Sequence, residues 1–446
     1  MPGIRFHFAS SGALFAANST KKDISKVLAE VDAVDTSFAL TTTTGEVLEP
    51  VKDSSVRLIT SIQMRSPQAL KSFFDALTHL KTDPTAIRVL HYGDSQIEGD
   101  RITDYLRLKL QGQFGGRGPG LMSLTPISPS VINRLAGSAG WDRYGIFTAK
   151  DKRVSHLNYG ILAGFSRFAE YKKPGDSVGL ITASLVVTTT KLGGTNAMAY
   201  NEIKLFYGGS KAKTWAEFYE GPALISADSL EAGASFRVKE YPVMQGSNTH
   251  TFKFSGKDSP DFYALSLESS DGVMVDNIAL RGSSGTFFHQ INPTQLKQFH
   301  DYLNTKLIIL QFGGNALPAI KDATMAINYA NYLRGQIIVL KKAVPGASIL
   351  FIGPSDMSIK EGTDYVTYPY LEDVRDAIKK VALESDCAFF DMYDCMGGKN
   401  SMPGWVDQKL AASDYIHFSP QGARKIATLF YSALIREYNN YLKSIH

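Results

Sequence analysis

Short apolar runs alternate with helical patterns along most of this chain of 446 residues. Alternation of this kind is typical of βα units, which assemble into a parallel sheet covered by helices on both faces. The pattern therefore predicts an α/β fold with a doubly wound, five-stranded parallel sheet. The predicted strands cover residues 87–92, 273–280, 306–311, 348–352 and 388–391.

Helical periodicity predicts the helices between these strands. One begins at Ser66-Pro67, an N-cap followed by the proline that suits a first helical turn. Others are predicted directly after the first strand, over residues 293–303 and 325–343, and from Ser419-Pro420 onward.

The alternation breaks off once, between residues 123 and 270. In this segment, short strand-like runs are separated by clusters of Gly, Pro, Asn and Ser, as in all-β domains. Because a connection of this length does not belong inside a compact domain, we expect an inserted β-sandwich or jelly-roll domain. The predicted organisation is a mixed N-terminal segment at 1–65, the first part of an α/β domain at 66–122, the insertion at 123–270 and the second part of the α/β domain at 271–446.

Composition excludes several classes of protein. The chain is 44% hydrophobic and 20% charged, as soluble globular proteins are, and no apolar stretch reaches the ~18 residues of a membrane span. The net charge is only +4 and the basic residues are dispersed, so no nucleic-acid partner is expected. The two cysteines, Cys387 and Cys395, are too few for a disulfide scaffold, and whether they pair stays open.

Three loops carry residue types that acyl transfer needs. Gly93-Asp94-Ser95 ends the first strand, and its glycine permits a sharp turn that presents the serine hydroxyl at the carboxyl edge of the sheet. Asp414 precedes His417 by three residues, so its carboxylate can orient the ring as a base. Asn315 follows another strand, where its amide can donate to an oxyanion. Taken singly, each pattern is more typical of a turn, and only their combination favours catalysis.

In this order the motifs resemble those of the SGNH hydrolase superfamily, also called GDSL-type esterases and lipases. The resemblance covers residues 85–122 and 271–440 and implies a flavodoxin-like fold. Gly282, after the second strand, matches the glycine of the second motif, and Gly285 in the same loop competes with it. The implied site consists of Ser95 as nucleophile, His417 as base, Asp414 as partner of the base, and Ser95, Gly282 and Asn315 as oxyanion donors.

Two departures from the usual motifs bear on the substrate. Polar residues at 96–100 follow the serine where this superfamily often continues with leucine, which weakens a plain lipase interpretation. The β-rich insertion lies between the first and second motifs, and this layout resembles bacterial enzymes that remove O-acetyl groups from peptidoglycan. The resemblance implies a serine esterase that removes acyl groups, acetyl above all, from a carbohydrate or cell-wall polysaccharide through an acyl-serine.

Three alternatives stay open: an O-acyltransferase that uses the same acyl-serine, a lipase or small-ester hydrolase, and a non-catalytic glycan-binding protein. No cofactor and no metal are expected, because the 9 histidines show no metal-ligand spacing and no phosphate-binding loop is present. The sequence does not define the oligomeric state. Residues 1–17 make a poor signal peptide, so an extracytoplasmic location is expected from the substrate alone.

Other polar and aromatic residues have simpler interpretations than a catalytic or binding role. Glu98 and Asp100 suit the first turn of a helix, whose dipole favours acidic side chains. Trp141, Tyr144 and Tyr159 could stack on sugar rings, but aromatic residues of a β domain more often belong to its core.

Overall fold

The computed structural model describes residues 21–41, 61–147, 151–171, 179–244 and 246–445. Most of the predicted N-terminal segment, at 1–20 and 42–60, therefore lies outside the described residues. The described chain forms a mostly parallel sheet flanked by helices, two larger antiparallel sheets and one short hairpin.

The strands occur both before and after the β-rich segment, and most lie within it. In chain order they are β1 (Ile62–Gln63), β2 (Ala86–Gly93), β3 (Gly120–Met122), β4 (Asn133–Gly137), β5 (Asp142–Gly145), β6 (Gly164–Arg167), β7 (Ile181–Thr189), β8 (Glu202–Gly208), β9 (Thr214–Glu220), β10 (Ala223–Leu230), β11 (Arg237–Pro242), β12 (Thr249–Gly256), β13 (Asp261–Glu268), β14 (Gly272–Ala279), β15 (Thr305–Gln311), β16 (Ser348–Ile352), β17 (Ser358–Glu361), β18 (Asp364–Thr367) and β19 (Ala388–Phe390).

The longer helices lie outside the β-rich segment. The α-helices are α1 (Ser25–Thr41), α2 (Gln68–His79), α3 (Thr103–Phe114), α4 (Gly194–Met198), α5 (Pro293–Leu303), α6 (Ala323–Ala343), α7 (Leu371–Glu384), α8 (Met392–Cys395), α9 (Met402–Asp407) and α10 (Pro420–Ile445). Short 3₁₀ turns cover Ser95–Asp100, Lys191–Gly193, Phe288–Gln290 and Gly314–Ala319.

The mostly parallel sheet has the strand order β1-β19-β16-β15-β2-β14. Strands β14, β2, β15, β16 and β19 are mutually parallel and correspond to the five predicted strands. The prediction of a parallel sheet is confirmed with one addition, because β1 pairs antiparallel with β19 at one edge. A strand of two residues is too short to show a periodic pattern in the sequence.

Helices cover both faces of this sheet, as a doubly wound fold requires. Alternate residues of a strand point to opposite faces. Val89 of β2 and Ile309 of β15 pack in the cluster that contains α2, α3 and α10. Leu90 and Ile308 pack in the cluster that contains α5, α6 and α7. Helix α7, which was not among the predicted helices, lies between β16 and β19 and completes the βα alternation.

The two larger antiparallel sheets come from the segment between β2 and β14. One has the order β10-β9-β12-β7-β4, and the other has the order β11-β8-β13-β6-β5 with β3 beside β13. Phe252 of the first sheet and Leu265 of the second belong to one shared core, so the sheets form a sandwich. The second sheet also packs on the α/β layer, where Phe206 stacks on Phe299 of α5 at 5.6 Å between ring centroids. The limits of this unit as a domain stay a prediction.

Candidate active site

The serine loop begins where β2 ends. A Cβ at Gly93 would lie 2.9 Å from the side chain of Ile97 and 3.2 Å from the carbonyl oxygen of Gln311, so a larger residue would displace both neighbours. Asp94 caps the following turn, because its Oδ1 accepts a hydrogen bond of 2.9 Å from the N–H of Gln96. Ser95 is therefore held, half-buried, at the carboxyl edge of the sheet.

The histidine loop lies between α9 and α10. Nε2 of His417 lies 2.8 Å from Oγ of Ser95, and Nδ1 of the same ring lies 2.8 Å from Oδ2 of Asp414. Oδ1 of Asp414 accepts the backbone N–H groups of Ile416 and His417 at 2.9 Å and 3.0 Å. Tyr415 has a φ of 58°, a left-handed conformation that closes this tight loop. The structure thus brings Ser95 together with His417, 322 positions later in the chain, and with Asp414, three residues before His417.

The contacts of Asp414 fix its charge. Burial raises the pKa of Asp414, but hydrogen bonds from the His417 ring and from two backbone N–H groups lower it by more, so the pKa lies below its ordinary value. An ionised carboxylate at Nδ1 favours the ring tautomer whose proton is on Nδ1. The lone pair of Nε2 then faces the Ser95 hydroxyl and can accept its proton.

Asn315 lies in the 3₁₀ turn that follows β15. Its Nδ2 donates hydrogen bonds of 2.9 Å to Oδ2 of Asp94 and 3.3 Å to the carbonyl oxygen of Ser283. A side-chain amide has two N–H groups, so both already have acceptors. An oxyanion role for Asn315 therefore requires one of these bonds to be exchanged for a bond to substrate, and the longer bond to Ser283 is the weaker one.

Ser95, Asn315 and His417 line one small cavity of about 160 Å³. Its walls include the apolar side chains of Met357 and Met392. Because the serine, the base and the amide donor share this space, a small group bound there would touch all three.

Asp94 is a buried carboxylate beside the serine, with 4% of its surface exposed. Burial raises the pKa of Asp94 to about 6, and the hydrogen bonds from Gln96 and Asn315 and the proximity of His417 oppose this only in part. A carboxyl group with a raised pKa therefore adjoins the nucleophile.

Neither candidate glycine of the second motif lines this cavity. Gly282 is exposed and has a φ of 78°. Gly285 is buried, and its N–H donates to Oγ of Ser283 at 3.0 Å. This bond disfavours Gly285 as an oxyanion donor, and the role of Gly282 stays a prediction.

The sequence patterns assign no role to Gln96, the residue that follows the serine. Its Nε2 donates to the carbonyl oxygen of Ile416 at 2.7 Å and to Oγ of Ser355 at 3.1 Å. A carbonyl oxygen can only accept, so the amide orientation is fixed and Oε1 stays buried, with no hydrogen-bond partner among the described residues. Gln96 thus joins the serine loop to the histidine loop. Its polarity at a position where leucine is common is the sequence signal that could have indicated this contact.

The other acidic residues of the serine turn have structural partners. Asp100 pairs with Arg107 at 3.0 Å and accepts a hydrogen bond from Ser130. Glu98 accepts a hydrogen bond from Ser128. Both carboxylates therefore hold the turn against neighbouring segments of the chain.

The aromatic candidates belong to the core. Tyr144 and Tyr159 are buried, as the core interpretation predicts, and Trp141 packs edge-on against Phe168. Both cysteines are free and buried. In the part of the chain that the structure describes, no three His, Cys, Asp or Glu side chains are grouped so that they could hold a metal ion.

Comparison with known proteins gives one family and one shared fold. Residues 243–425 match the model of the GDSL-like Lipase/Acylhydrolase family, a range that contains Asn315, Asp414 and His417. No curated protein matches the sequence. The structure of a peptidoglycan O-acetylesterase superposes with a TM-score of 0.67 over 86% of this chain and 99% of that chain, at 19% identity.

Two other solved structures match with lower TM-scores. A salicylyl-acyltransferase from a tetracycline biosynthetic pathway matches over 68% of this chain and 97% of that chain, at 12% identity and a TM-score of 0.29. An acetyl xylan esterase matches over 36% of this chain and 81% of that chain, at 16% identity and a TM-score of 0.27.

Proposed function

We propose that this chain removes acetyl groups from a polysaccharide through an acyl-serine. The chain carries a GDSL-like lipase/acylhydrolase domain on the SGNH hydrolase fold and is therefore a carboxylic ester hydrolase. The observation that carries the proposal is the continuous hydrogen-bonded chain from Oγ of Ser95 through the His417 ring to Asp414, with both links at 2.8 Å. Contacts of this length are within reach for proton transfer from a nucleophile to its base.

In the proposed reaction, Nε2 of His417 accepts the Ser95 proton while Oγ attacks the ester carbonyl carbon. Asp414 stabilises the imidazolium that forms. The oxyanion is held by the N–H groups of Ser95 and Gly282 and by the amide of Asn315, after that amide releases Ser283. The bond between the acyl carbon and the sugar oxygen then breaks, and His417 gives its proton to that oxygen, so the sugar leaves as a free hydroxyl and the acyl-serine remains. Water, activated by the same ring, hydrolyses the acyl-serine and regenerates the free serine.

The size and the walls of the cavity support a small acyl group. A space of about 160 Å³ around Ser95 suits an acetyl group better than a fatty acyl chain. The peptidoglycan O-acetylesterase shares its fold with most of this chain, and we propose a substrate of the same broad class, an O-acetylated glycan.

Access of water to the base favours hydrolysis over acyl transfer. The side chains of His417 and Asp414 are 29% and 46% exposed, so water can reach the ring that would activate it. An acyltransferase gains from excluding water at this step. A purely glycan-binding protein would not need the contacts that join Ser95, His417 and Asp414.

The proposed substrate also suggests a location. Cell-wall and other structural glycans lie outside the cytoplasm, so we propose an extracytoplasmic protein. None of the helices in the described residues is both long and apolar enough to cross a membrane.

Acetate release from a panel of O-acetylated glycans, including peptidoglycan and xylan, tests the proposal with wild type and Ser95→Ala side by side. Release that disappears in Ser95→Ala supports the esterase and identifies the polymer. Ser95-dependent cleavage of an aryl acetate without release from any glycan would overturn the carbohydrate assignment. Unchanged release in Ser95→Ala would overturn the acyl-serine.

A further inference from the structure

A second, larger cavity of about 850 Å³ lies between the parallel sheet and the antiparallel strands. One wall is the end of β14 with Leu280 and Arg281, and the opposite wall includes residues 121–131 and β4. Two residues that line this cavity lie close in sequence to residues of the candidate active site. Asp100 ends the turn that begins at Ser95, and Arg281 lies two residues before Ser283, whose carbonyl oxygen contacts Asn315.

The charged residues that line this cavity are mostly cationic. They are one carboxylate, Asp100, and four arginines: Arg107, Arg134, Arg143 and Arg281. Arg107 pairs with Asp100 at 3.0 Å and Arg281 pairs with Glu98 at 3.7 Å, so Arg134 and Arg143 give the cavity its excess of positive charge. Arg134 is exposed on β4, and the side chain of Arg281 is 68% exposed.

Two of the guanidinium groups keep N–H donors that have no acceptor in the described part of the chain. Arg107 is 2% exposed; its Nε and Nη2 have partners in Val275 and Asp100, but Nη1 has none among the described residues. Arg143 donates from Nη1 to Oγ of Ser123 at 2.9 Å, whereas its buried Nε has no partner in the same part of the chain. A buried donor without an acceptor costs free energy, so both groups would gain from a ligand acceptor that reaches them after a small movement of the lining.

The rest of the lining combines apolar side chains with hydroxyl groups, a mixture that suits the faces and the hydroxyls of a sugar ring. The hydroxyl groups belong to Ser123, Thr125, Ser128, Ser130 and Ser138. Guanidinium groups recognise carboxylates with paired, charge-assisted hydrogen bonds, and hydroxyl groups can bond to the hydroxyls of a sugar ring.

We propose that this cavity binds a carboxylate-bearing part of the glycan, next to the acetylated sugar that Ser95 attacks. The inference rests on the proposed function and extends it, because it assigns the substrate to the acidic glycans. The carboxylate could belong to a uronic acid or to a peptide attached to the glycan, and both would meet the same arginines.

Binding to the Ser95→Ala protein, which leaves the ester intact, tests this subsite. The probes are O-acetylated oligogalacturonate, O-acetylated peptidoglycan fragments and a neutral O-acetylated xylo-oligosaccharide of similar length. We expect at least one acidic probe to bind about tenfold more tightly than the neutral one, equivalent to about 1.4 kcal/mol. The probe that binds more tightly identifies the source of the carboxylate.

The second variant is Arg134→Glu, chosen because Arg134 is exposed on β4 and its replacement leaves the core of the sandwich unchanged. Its control is Lys253→Glu, which reverses an exposed charge on β12 of the same sheet, outside the cavity. We expect Arg134→Glu to abolish the preference for the acidic probe and Lys253→Glu to preserve it. Equal binding of acidic and neutral probes, or a preference that survives Arg134→Glu, would overturn the subsite. Cleavage of an aryl acetate is measured separately with wild type and Ser95→Ala. This measurement tests the proposed esterase activity independently of the subsite, because an aryl acetate has no glycan to bind there.

Discussion

The side-chain amide of Asn315 donates a hydrogen bond of 2.9 Å to Oδ2 of Asp94, the residue directly before the proposed nucleophile. The same amide also contacts Ser283, so it has to change partners before it can hold an oxyanion. We expect Asn315→Ala to lower kcat on an aryl acetate by about 10²–10³, with a smaller effect on KM, because an oxyanion donor acts mainly in the transition state.

A double-mutant cycle separates this role from simple support of Asp94. If Asn315 acts only through Asp94, adding Asn315→Ala to Asp94→Ala should not lower kcat any further. We expect the double variant to be slower than Asp94→Ala alone. Equal kcat values for these two proteins would remove Asn315 from the oxyanion site.

Asp94 should also give the folded protein a recognisable dependence on pH. Burial raises the pKa of Asp94 to about 6, above its ordinary value of 3.8. Between pH 3.8 and about 6, the folded state therefore keeps a proton on Asp94 that the unfolded state has lost. The stability associated with this proton is fully present below pH 3.8 and is lost as the pH rises through about 6. A variant without the Asp94 carboxylate should not lose this stability as the pH rises.

The measurement is the difference in Tm between Asp94→Ala and wild type at pH 4.5 and at pH 7.5. We expect the variant to gain stability relative to wild type at the higher pH, by an amount that corresponds to at most about 3 kcal/mol. If the difference in Tm between variant and wild type is the same at both pH values, as expected from lost packing and capping alone, the pKa of Asp94 is not raised.

Asp414 is predicted to act by holding and charging the His417 ring. Asp414→Asn retains the size of the side chain but loses the charge, and we expect kcat on an aryl acetate to fall by about 10⁴ because the ring can then take the wrong tautomer. Asp322→Asn is the matched control, since Asp322 is also an exposed carboxylate that accepts a backbone N–H, from Met325 at 2.8 Å. Comparable losses in the two variants would indicate a general structural effect instead.

The local motifs were sufficient to predict the positions of the proposed catalytic residues, because each lies within a few residues of a strand end or a helix start. The register of the sheet explains why they meet: Gly93 of β2 lies opposite Gln311 of β15, so the serine loop and the Asn315 turn leave the sheet side by side. The contacts among Ser95, His417 and Asp414 are those that the proposed mechanism needs, while their catalytic roles remain predictions.

Contacts between distant loops could not be predicted in the same way. The bond between Asn315 and Asp94 joins residues 221 positions apart, and that between Gln96 and Ile416 joins residues 320 positions apart. Neither pair has a spacing pattern in the sequence, because a loop-to-loop contact depends on how the two loops fold over the sheet edge. The parallel sheet, in contrast, was predicted correctly, because each of its strands is a short apolar run that is almost continuously buried, and these runs alternate with helical patterns.

Gln96 is predicted to position the histidine loop relative to the serine. We expect Gln96→Met to lower kcat on an aryl acetate by about 10–100-fold with little change in KM, because small displacements of reacting groups are costly and the acetyl site itself is unaltered. Gln111→Met is the control, since Gln111 is also buried and donates to a backbone carbonyl, that of Gly118 at 2.9 Å. If the two variants lose equal kcat, or if Gln96→Met changes only Tm, Gln96 has no positioning role.

A buried ion network joins the parallel sheet to the antiparallel sandwich and should contribute strongly to stability. Arg88 of β2 pairs with Glu268 of β13 and with Asp276 of β14, and Glu268 also pairs with Lys204 of β8 at 2.8 Å. Arg88 and Glu268 are 2% and 1% exposed, so loss of Glu268 leaves the buried guanidinium of Arg88 with the carboxylate of Asp276 alone. We expect Glu268→Gln to destabilise the protein by about 3 kcal/mol, at the lower end of the cost of breaking a buried ion pair. Glu202→Gln is the control, since Glu202 contacts the same lysine at 3.2 Å from a more exposed position and should cost less than about 1 kcal/mol. Thermal unfolding of both variants distinguishes the two environments, and equal Tm values would mean that the buried network adds nothing beyond a surface ion pair.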